Sequence, residues 1–253
     1  MDRVTTGIKG LDEMLGGGFL RDTANLVEGA PGTGKTTLAM QFIYHGIQAG
    51  EPGLIITFEE FPQQYYHDAA AFGWDFVALE KQGLLKVVMT SPEASRLDLE
   101  SIDGMLERSI NQMGARRVVV DSISQFSRLT QDPVELRSLE FGFINALKRQ
   151  GLTTILTRES PVLLGEGSDE ANQIGFVVDS YIILRYVEIE SVIRKALLIL
   201  KMRGSDHAKD IREYEISPGG IEVQSKFEGR EGILSGNPRR MADSFVEAFV
   251  NKR

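Results

Sequence analysis

The stretch Gly29 to Thr36, GAPGTGKT, sets a glycine, four residues, then Gly-Lys and a hydroxyl residue, the spacing of a phosphate-binding loop. Glycines so placed let successive backbone N–H groups turn inward as an anion cradle. A helix that follows adds the partial positive charge of its N-terminus. Gly29, Pro31, Gly32, Thr33, Gly34, Lys35, Thr36 and Thr37 are therefore the expected nucleotide contacts. Lys35 would reach the β and γ phosphates, and Thr36 would offer its hydroxyl to Mg²⁺. The metal also needs a carboxylate at a buried strand end, and RRVVVDS supplies Asp121 after three valines.

Hydrolysis requires a group that orients and deprotonates water in line with the γ phosphate. Ser122 follows Asp121, so a glutamate directly after the metal carboxylate is absent. Instead LIITFEEFP ends in Glu59 and Glu60, on the strand after the loop's helix. Strand alternation lets one of the pair face the nucleotide while the other supports it or meets a neighbouring subunit. Like charges this close also raise the proton affinity of one, which suits a base. Glu59, Glu60 and Lys35 are the candidate catalytic side chains, with the choice of base between the glutamates open. Farther on, KMRGSDH places Lys201 and Arg203 on one side of a strand and Met202 on the other, so two cations can converge on one anion; His207 follows a short break.

These groups have to be held by alternating strands and helices. Apolar, β-branched segments near 24–28, 54–58, 84–89, 117–121 and 153–157 read as strands of a largely parallel sheet. Helical patterns lie near 35–49, 62–72, 98–113 and 132–149. In the last, Val134, Leu136, Leu139, Phe143, Ile144 and Leu147 form a stripe that stops at Gly151. After residue 178, DSYIILRYVEIE, RKALLILKMRG and REYEISPGGIEV read as an antiparallel meander on the sheet's edge. Residues 159–176 read as a long loop.

The chain has 253 residues, 42% hydrophobic and 25% charged, which predicts one globular α/β domain spanning 1–253. No run approaches a membrane span, MDRVTTGIKG lacks the order of a signal peptide, and there is no cysteine, so a cytoplasmic protein is expected. A net charge of −8 disfavours bulk binding to nucleic acid or a membrane surface.

Taken together, TTGIKGLDEMLGGGFLRDTANLVEGAPGTGKTTLAMQFI, the FEE pair, VVVDS, KMRGSDH and GILSGNP resemble the KaiC-like branch of the RecA/RadA superfamily over about residues 4 to 238. The clock ATPase of that family carries two such domains in tandem, and this chain has one. The resemblance implies a RecA-like P-loop core that assembles into a ring, usually a hexamer, with ATP between adjacent copies. It implies that Glu59 and Glu60 are the catalytic pair. It further implies that Lys201, Arg203 and His207 reach the γ phosphate held by the next subunit, with Lys209 near that subunit's adenine.

The resulting expectation is a Mg-dependent, ring-forming regulatory or signalling ATPase. Three other functions are open to a chain of this kind. In the family's phosphorylating repeat, hydroxyl residues stand four and three positions before the Asp of DxxIIL, but Asp179 here is preceded at those positions by Gly175 and Phe176. Autokinase activity there is disfavoured, although Ser160, Ser168 and Ser180 lie nearby. A DNA recombination or repair ATPase of RadA type would need cations in a central loop. The segment 159–176 instead carries Glu159, Glu166, Asp169 and Glu170 with no Lys or Arg; Arg128, Arg116–Arg117 and Arg239–Arg240 are the basic features left. In the third, a nucleotide switch would bind a protein partner through the tail 241–253, where Ser244 and Glu247 fit a capping box and Phe245, Val246, Phe249 and Val250 an apolar stripe.

Overall fold

Strands that bury both faces carry buried residues at consecutive positions, and the segments 24–29, 53–57, 117–120 and 153–157 do so. The computed structural model describes residues 2–101, 104–160 and 174–227, with the short pairs 230–231 and 239–240. In chain order the elements are β1 (Arg3–Val4), α1 (Leu11–Met14), β2 (Phe19–Leu20), β3 (Ala24–Gly29), α2 (Lys35–Gln48), β4 (Gly53–Thr57), α3 (Pro62–Ala71), α4 (Phe76–Lys81) and β5 (Leu85–Met89). There follow α5 (Pro92–Glu100), α6 (Met105–Met113), β6 (Arg117–Asp121), α7 (Pro133–Arg149), β7 (Thr153–Glu159), β8 (Ser180–Ile189), β9 (Val192–Met202), β10 (Arg212–Ser217) and β11 (Gly220–Lys226). The strands β12 (Arg230–Glu231) and β13 (Arg239–Arg240) pair with each other. Short 3₁₀ turns cover Ile123–Arg128 and Ile174–Phe176.

One nine-stranded sheet runs in the order β11-β10-β9-β8-β3-β7-β6-β4-β5. The six strands from β8 to β5 in that order are parallel, and β9, β10 and β11 continue antiparallel. Alternation divides the core between the two faces. Val27, Ile55, Val119 and Ile155 pack with Leu38, Phe42 and Ile43 of α2 on one side. Leu26, Ile56, Val120 and Leu156 pack with Ile110 of α6 and Phe143, Ile144 and Leu147 of α7 on the other. Each five-strand reading thus corresponds to an observed parallel strand, and the RecA-like α/β architecture with a C-terminal antiparallel extension is the fold of the chain.

Three local readings change. The first C-terminal run, β8, pairs in parallel with β3, so the antiparallel part begins at β9. The third run folds back on itself at Pro218–Gly219, giving the hairpin β10–β11. The single helix expected at 98–113 is two helices. Asp98, in the last turn of α5, accepts from the N–H of Met105 at 2.7 Å and of Leu106 at 2.5 Å, and so caps α6. Gly104 fits against it because a Cβ there would stand 2.2 Å from the Asp98 carbonyl oxygen. In the 132–149 stripe, Phe143, Ile144 and Leu147 are buried, whereas Val134 is 77% exposed in the first turn. Of the long loop, Glu159 and Ser160 extend β7 and its end, residues 174–176 form the 3₁₀ turn, and 161–173 lie outside the described residues, as does the tail 241–253.

Candidate functional site

Parallel strands bring their C-terminal ends to one edge of a sheet, and polar residues that end adjacent strands there become neighbours. The ends of β4 and β6 are in register, Thr57 opposite Asp121; one position beyond the Val120–Leu156 pair, Thr157 flanks Asp121 on the other side. The phosphate loop leaves β3 at the same edge. Gly32 and Gly34 take left-handed φ values of 77° and 96°, the bend the loop requires before α2 begins at Lys35.

A cavity of about 220 Å³ at this edge is lined by Pro31, Gly32, Lys35, Thr36, Thr57, Glu59, Glu60, Tyr65, Asp121, Ser122 and Glu159. Asp121 is held by three hydroxyls. Thr36 donates to its Oδ2 at 2.9 Å, Tyr65 donates to the same oxygen at 2.8 Å, and Thr157 donates to Oδ1. Thr36 spends its proton on Asp121, so its oxygen lone pairs remain for a cation, and the carboxylate stands one hydrogen bond behind it. This donor set fits Mg²⁺ bound with nucleotide phosphates, one hydroxyl and water. Among the described residues there is no cluster of three or more His, Cys, Asp or Glu side chains that would make an all-protein metal cage.

Lys35 is buried, and its ammonium donates to the Ala30 carbonyl at 3.1 Å. Burial lowers its pKa from the usual lysine value, while the carboxylates of Glu159, Asp121 and Glu28 work the other way. Both glutamates of the pair have raised proton affinity. For Glu59 the largest cause is burial, then Glu159; for Glu60 it is burial, then Asp121. Mutual repulsion, the expected cause, contributes least to Glu60. Glu59 also faces the guanidinium of Arg128 at 3.7 Å. Proline opens α3 at its first position, and the Thr57 hydroxyl accepts from the Glu60 N–H at 3.1 Å, fixing the turn that carries the pair.

Pro31, Gly32, Lys35, Thr36, Glu59, Glu60 and Asp121 therefore come together, while Gly29, Thr33, Gly34 and Thr37 do not line the cavity. Thr33 is buried and donates to its own loop at Ala30 O, 2.7 Å, and Tyr214 of β10 braces the same turn through the Thr33 carbonyl at 2.5 Å. Tyr65, Thr157 and Glu159 are cavity or carboxylate partners that sequence reasoning missed. Their signals were present: Tyr65 lies in the first turn of a helix that starts at a strand end, and LIIT, VVVD and TILT each finish on a polar residue.

Lys201, Arg203, His207 and Lys209 are elsewhere. The register pairs Asn25 with Ser180 and Ser180 with Met202, whereas Gly29 pairs with Leu184 and Leu184 with Leu197. The cations thus sit at the edge where β3 begins, about 13 Å along the strands from where the phosphate loop leaves at roughly 3.3 Å per residue. Within their own chain, Lys201 donates to the carbonyls of Gly175 at 2.6 Å and Val178 at 2.8 Å, and Arg203 to that of Phe176 at 2.5 Å. Lys209 bonds Asp206 at 2.9 Å and contacts His207 at 3.1 Å. Burial, then Lys209, lowers the His207 pKa from the usual value.

A family model for the KaiC ATPase matches residues 4–228. The chain is 40% identical over 245 residues to the circadian clock protein KaiC3 of Synechocystis sp., covering 97% of this chain and 48% of that protein. It is 37% identical over 240 residues to the circadian clock oscillator protein KaiC of Thermostichus vulcanus, covering 95% of this chain and 46% of that one. The chain thus spans about half the length of these relatives. No helix among the described residues is long and apolar enough to cross a membrane. With a phosphate loop, a hydroxyl-held strand-end aspartate and a glutamate pair on a RecA-like sheet, and with the family model matched over most of its length, the chain belongs to the KaiC family of ATPases.

Proposed function

We propose that this chain binds Mg·ATP at the β3–β6 edge and hydrolyses it where that edge meets another copy in a ring, as a regulatory or signalling ATPase of the cytoplasm. The observation that carries the reading is the separation within one chain. Lys35, Thr36, Asp121 and the glutamate pair share one cavity, and Lys201 and Arg203 point from the opposite end of the sheet. Glu59 or Glu60 takes the proton of the attacking water, and raised proton affinity makes either a better base than a carboxylate of ordinary pKa. Lys35 neutralises phosphate oxygens, and Thr36 with Asp121 would hold Mg²⁺, which would supply charge neutralisation for the phosphates. Lys201 and Arg203 of one copy act on the γ phosphate held by the next, with His207 and Lys209 beside them; a cation supplied in trans is worth about 10³ to 10⁵ in rate where an arginine finger acts.

Other readings have less support. Arg117, one of the cations a DNA-binding reading would need, is buried against Glu51. Gly175 and Phe176 offer no hydroxyl to phosphorylate, and their carbonyls accept from Lys201 and Arg203.

ATPase activity measured against protein concentration tests the proposal. Turnover per chain is expected to rise with assembly. Arg203→Ala and the Glu59→Gln, Glu60→Gln double variant are each expected to be inactive, with partial activity recovered when they are mixed. Mixed assemblies without recovered turnover would overturn the shared site, and stimulation by single-stranded DNA would favour the recombinase instead.

A further inference from the structure

Tyr65 is 2% exposed, and a phenylalanine would bury nearly the same area there; what the tyrosine adds is its hydroxyl. A buried hydroxyl is unfavourable without a partner, and this one donates to Asp121 Oδ2 at 2.8 Å. Thr57, at the end of β4, stands opposite Asp121 in the strand register. Thr57 in turn accepts from the N–H groups of Glu60 at 3.1 Å and Glu59 at 3.4 Å. Tyr65 lies in α3, the helix that follows this turn, so its bond to Asp121 ties the far side of the turn to the strand-end carboxylate.

We propose that Tyr65 is a positioning residue: its hydroxyl fixes the rotation of the Asp121 carboxylate behind the metal and holds the Glu59–Glu60 turn in register with it. The inference rests on the reading of this edge as a Mg·ATP site. A carboxylate at a strand end can rotate about its Cβ–Cγ bond. Thr157 restrains one oxygen of Asp121, and Thr36 and Tyr65 restrain the other. Of these three donors, Thr36 is itself expected on the metal, so its geometry changes with loading. Tyr65 belongs to α3 and keeps the second oxygen fixed whether or not the metal is present. Groups that orient a metal's partners in this way typically contribute about 10- to 100-fold to metal affinity or activity.

The test is Tyr65→Phe in the full chain, with Mn²⁺ as the probe. Free Mn²⁺ is counted by electron paramagnetic resonance in the presence of ADP, and ADP affinity is measured in EDTA. The variant is expected to bind Mn²⁺ about 10-fold more weakly and to lose about 10-fold in kcat, with KM for ATP and metal-free ADP affinity within about twofold of wild type. A purely structural role for Tyr65 would shift the melting temperature or all affinities together. Wild-type Mn²⁺ affinity and kcat in Tyr65→Phe would overturn the inference while leaving the site's reading intact. A wild-type chain whose ADP affinity is unchanged by Mn²⁺ would overturn that reading first. Should Tyr65→Phe fail to fold, 3-fluorotyrosine at position 65 keeps the hydroxyl and reports on it. Its ¹⁹F resonance is expected to move on adding Mg²⁺ to the ADP-bound chain, and a stationary resonance counts against the proposal.

Discussion

The guanidinium of Arg117 and the carboxylate of Glu51 meet at 2.7 Å, with Arg117 only 1% exposed. The same guanidinium donates to the carbonyls of Thr5 at 2.8 Å and Phe42 at 2.9 Å and lies 4.6 Å from the centre of the Phe42 ring. It passes where a side chain at Gly46 would stand. One residue at the start of β6 thereby fastens α2 and the N-terminal segment to the sheet. Arg117→Ala leaves Glu51 with Arg21 at 3.0 Å as its remaining cation and takes the donor from the carbonyls of Thr5 and Phe42, and is expected to cost about 3 kcal/mol. Urea unfolding followed by Trp74, which is stacked between Phe72 and Tyr44 at 4.9 and 5.5 Å, measures it. A loss under about 1 kcal/mol would show that the pair is not holding these elements.

Glu140 of α7 gives the fold a pH dependence. It is 5% exposed, and burial pushes its carboxyl up to about 7 from an ordinary 4.5, against the opposing pull of Arg158. The folded chain therefore holds a proton there that the unfolded chain releases. This contribution to stability is full below about 4.5 and is lost as pH rises through about 7. Glu140→Gln is expected to stabilise the protein at pH 8 by up to about 3 kcal/mol and to change little at pH 4.5. Melting curves at the two pH values decide it, and an equal shift at both would refute the assignment.

For the glutamate pair the sign concerns rate. Both carboxyls have raised proton affinity, burial being the leading cause, and the base must be ionised to act. Turnover is expected to fall on the acid side at a pH above the usual 4.5 of a glutamate. Replacing the base with Gln should lower kcat by about 10²- to 10⁴-fold and abolish that limb. Pre-steady-state rates of Glu59→Gln and Glu60→Gln across pH 4 to 8 identify which residue it is; retention of the limb in both single variants would place the titration elsewhere.

Gly32 is open to a direct test. Its φ is 77°, and an added Cβ would lie 2.7 Å from the hydroxyl of Tyr186. Gly32→Ala is expected to weaken binding of a fluorescent ATP analogue by more than about 10-fold through a strained loop, with little change in melting temperature. Binding at wild-type strength would show that the loop adapts.

What could be read from the sequence was what lies contiguous in it. The run Gly29 to Thr36 carries its whole geometry locally, and Asp121 ends a run of valines that only a buried strand accommodates. Thr157 and Tyr65 reach Asp121 from 36 and 56 positions away, and only the register of β6 with β7 and the packing of α3 bring them there. The split between α5 and α6 was hidden for a related reason: Asp98 fits the amphipathic pattern of one long helix, yet its side chain caps the next. The hairpin β10–β11 had its signal in Pro218–Gly219, a turn pair inside the alternating run REYEISPGGIEV that was read as one strand.

The placement of the phosphate loop and the Lys201–Arg203 pair at opposite ends of one sheet has an arithmetical consequence. A contact that joins one copy's head to another's tail is heterologous, so it either closes on itself or runs on. If each working site needs both halves, an open row always has one site fewer than it has chains, and a lone chain has none. Only closure makes the two numbers equal. A copy whose cations are missing then silences its neighbour's nucleotide and leaves its own untouched, so damage moves around the assembly in one direction.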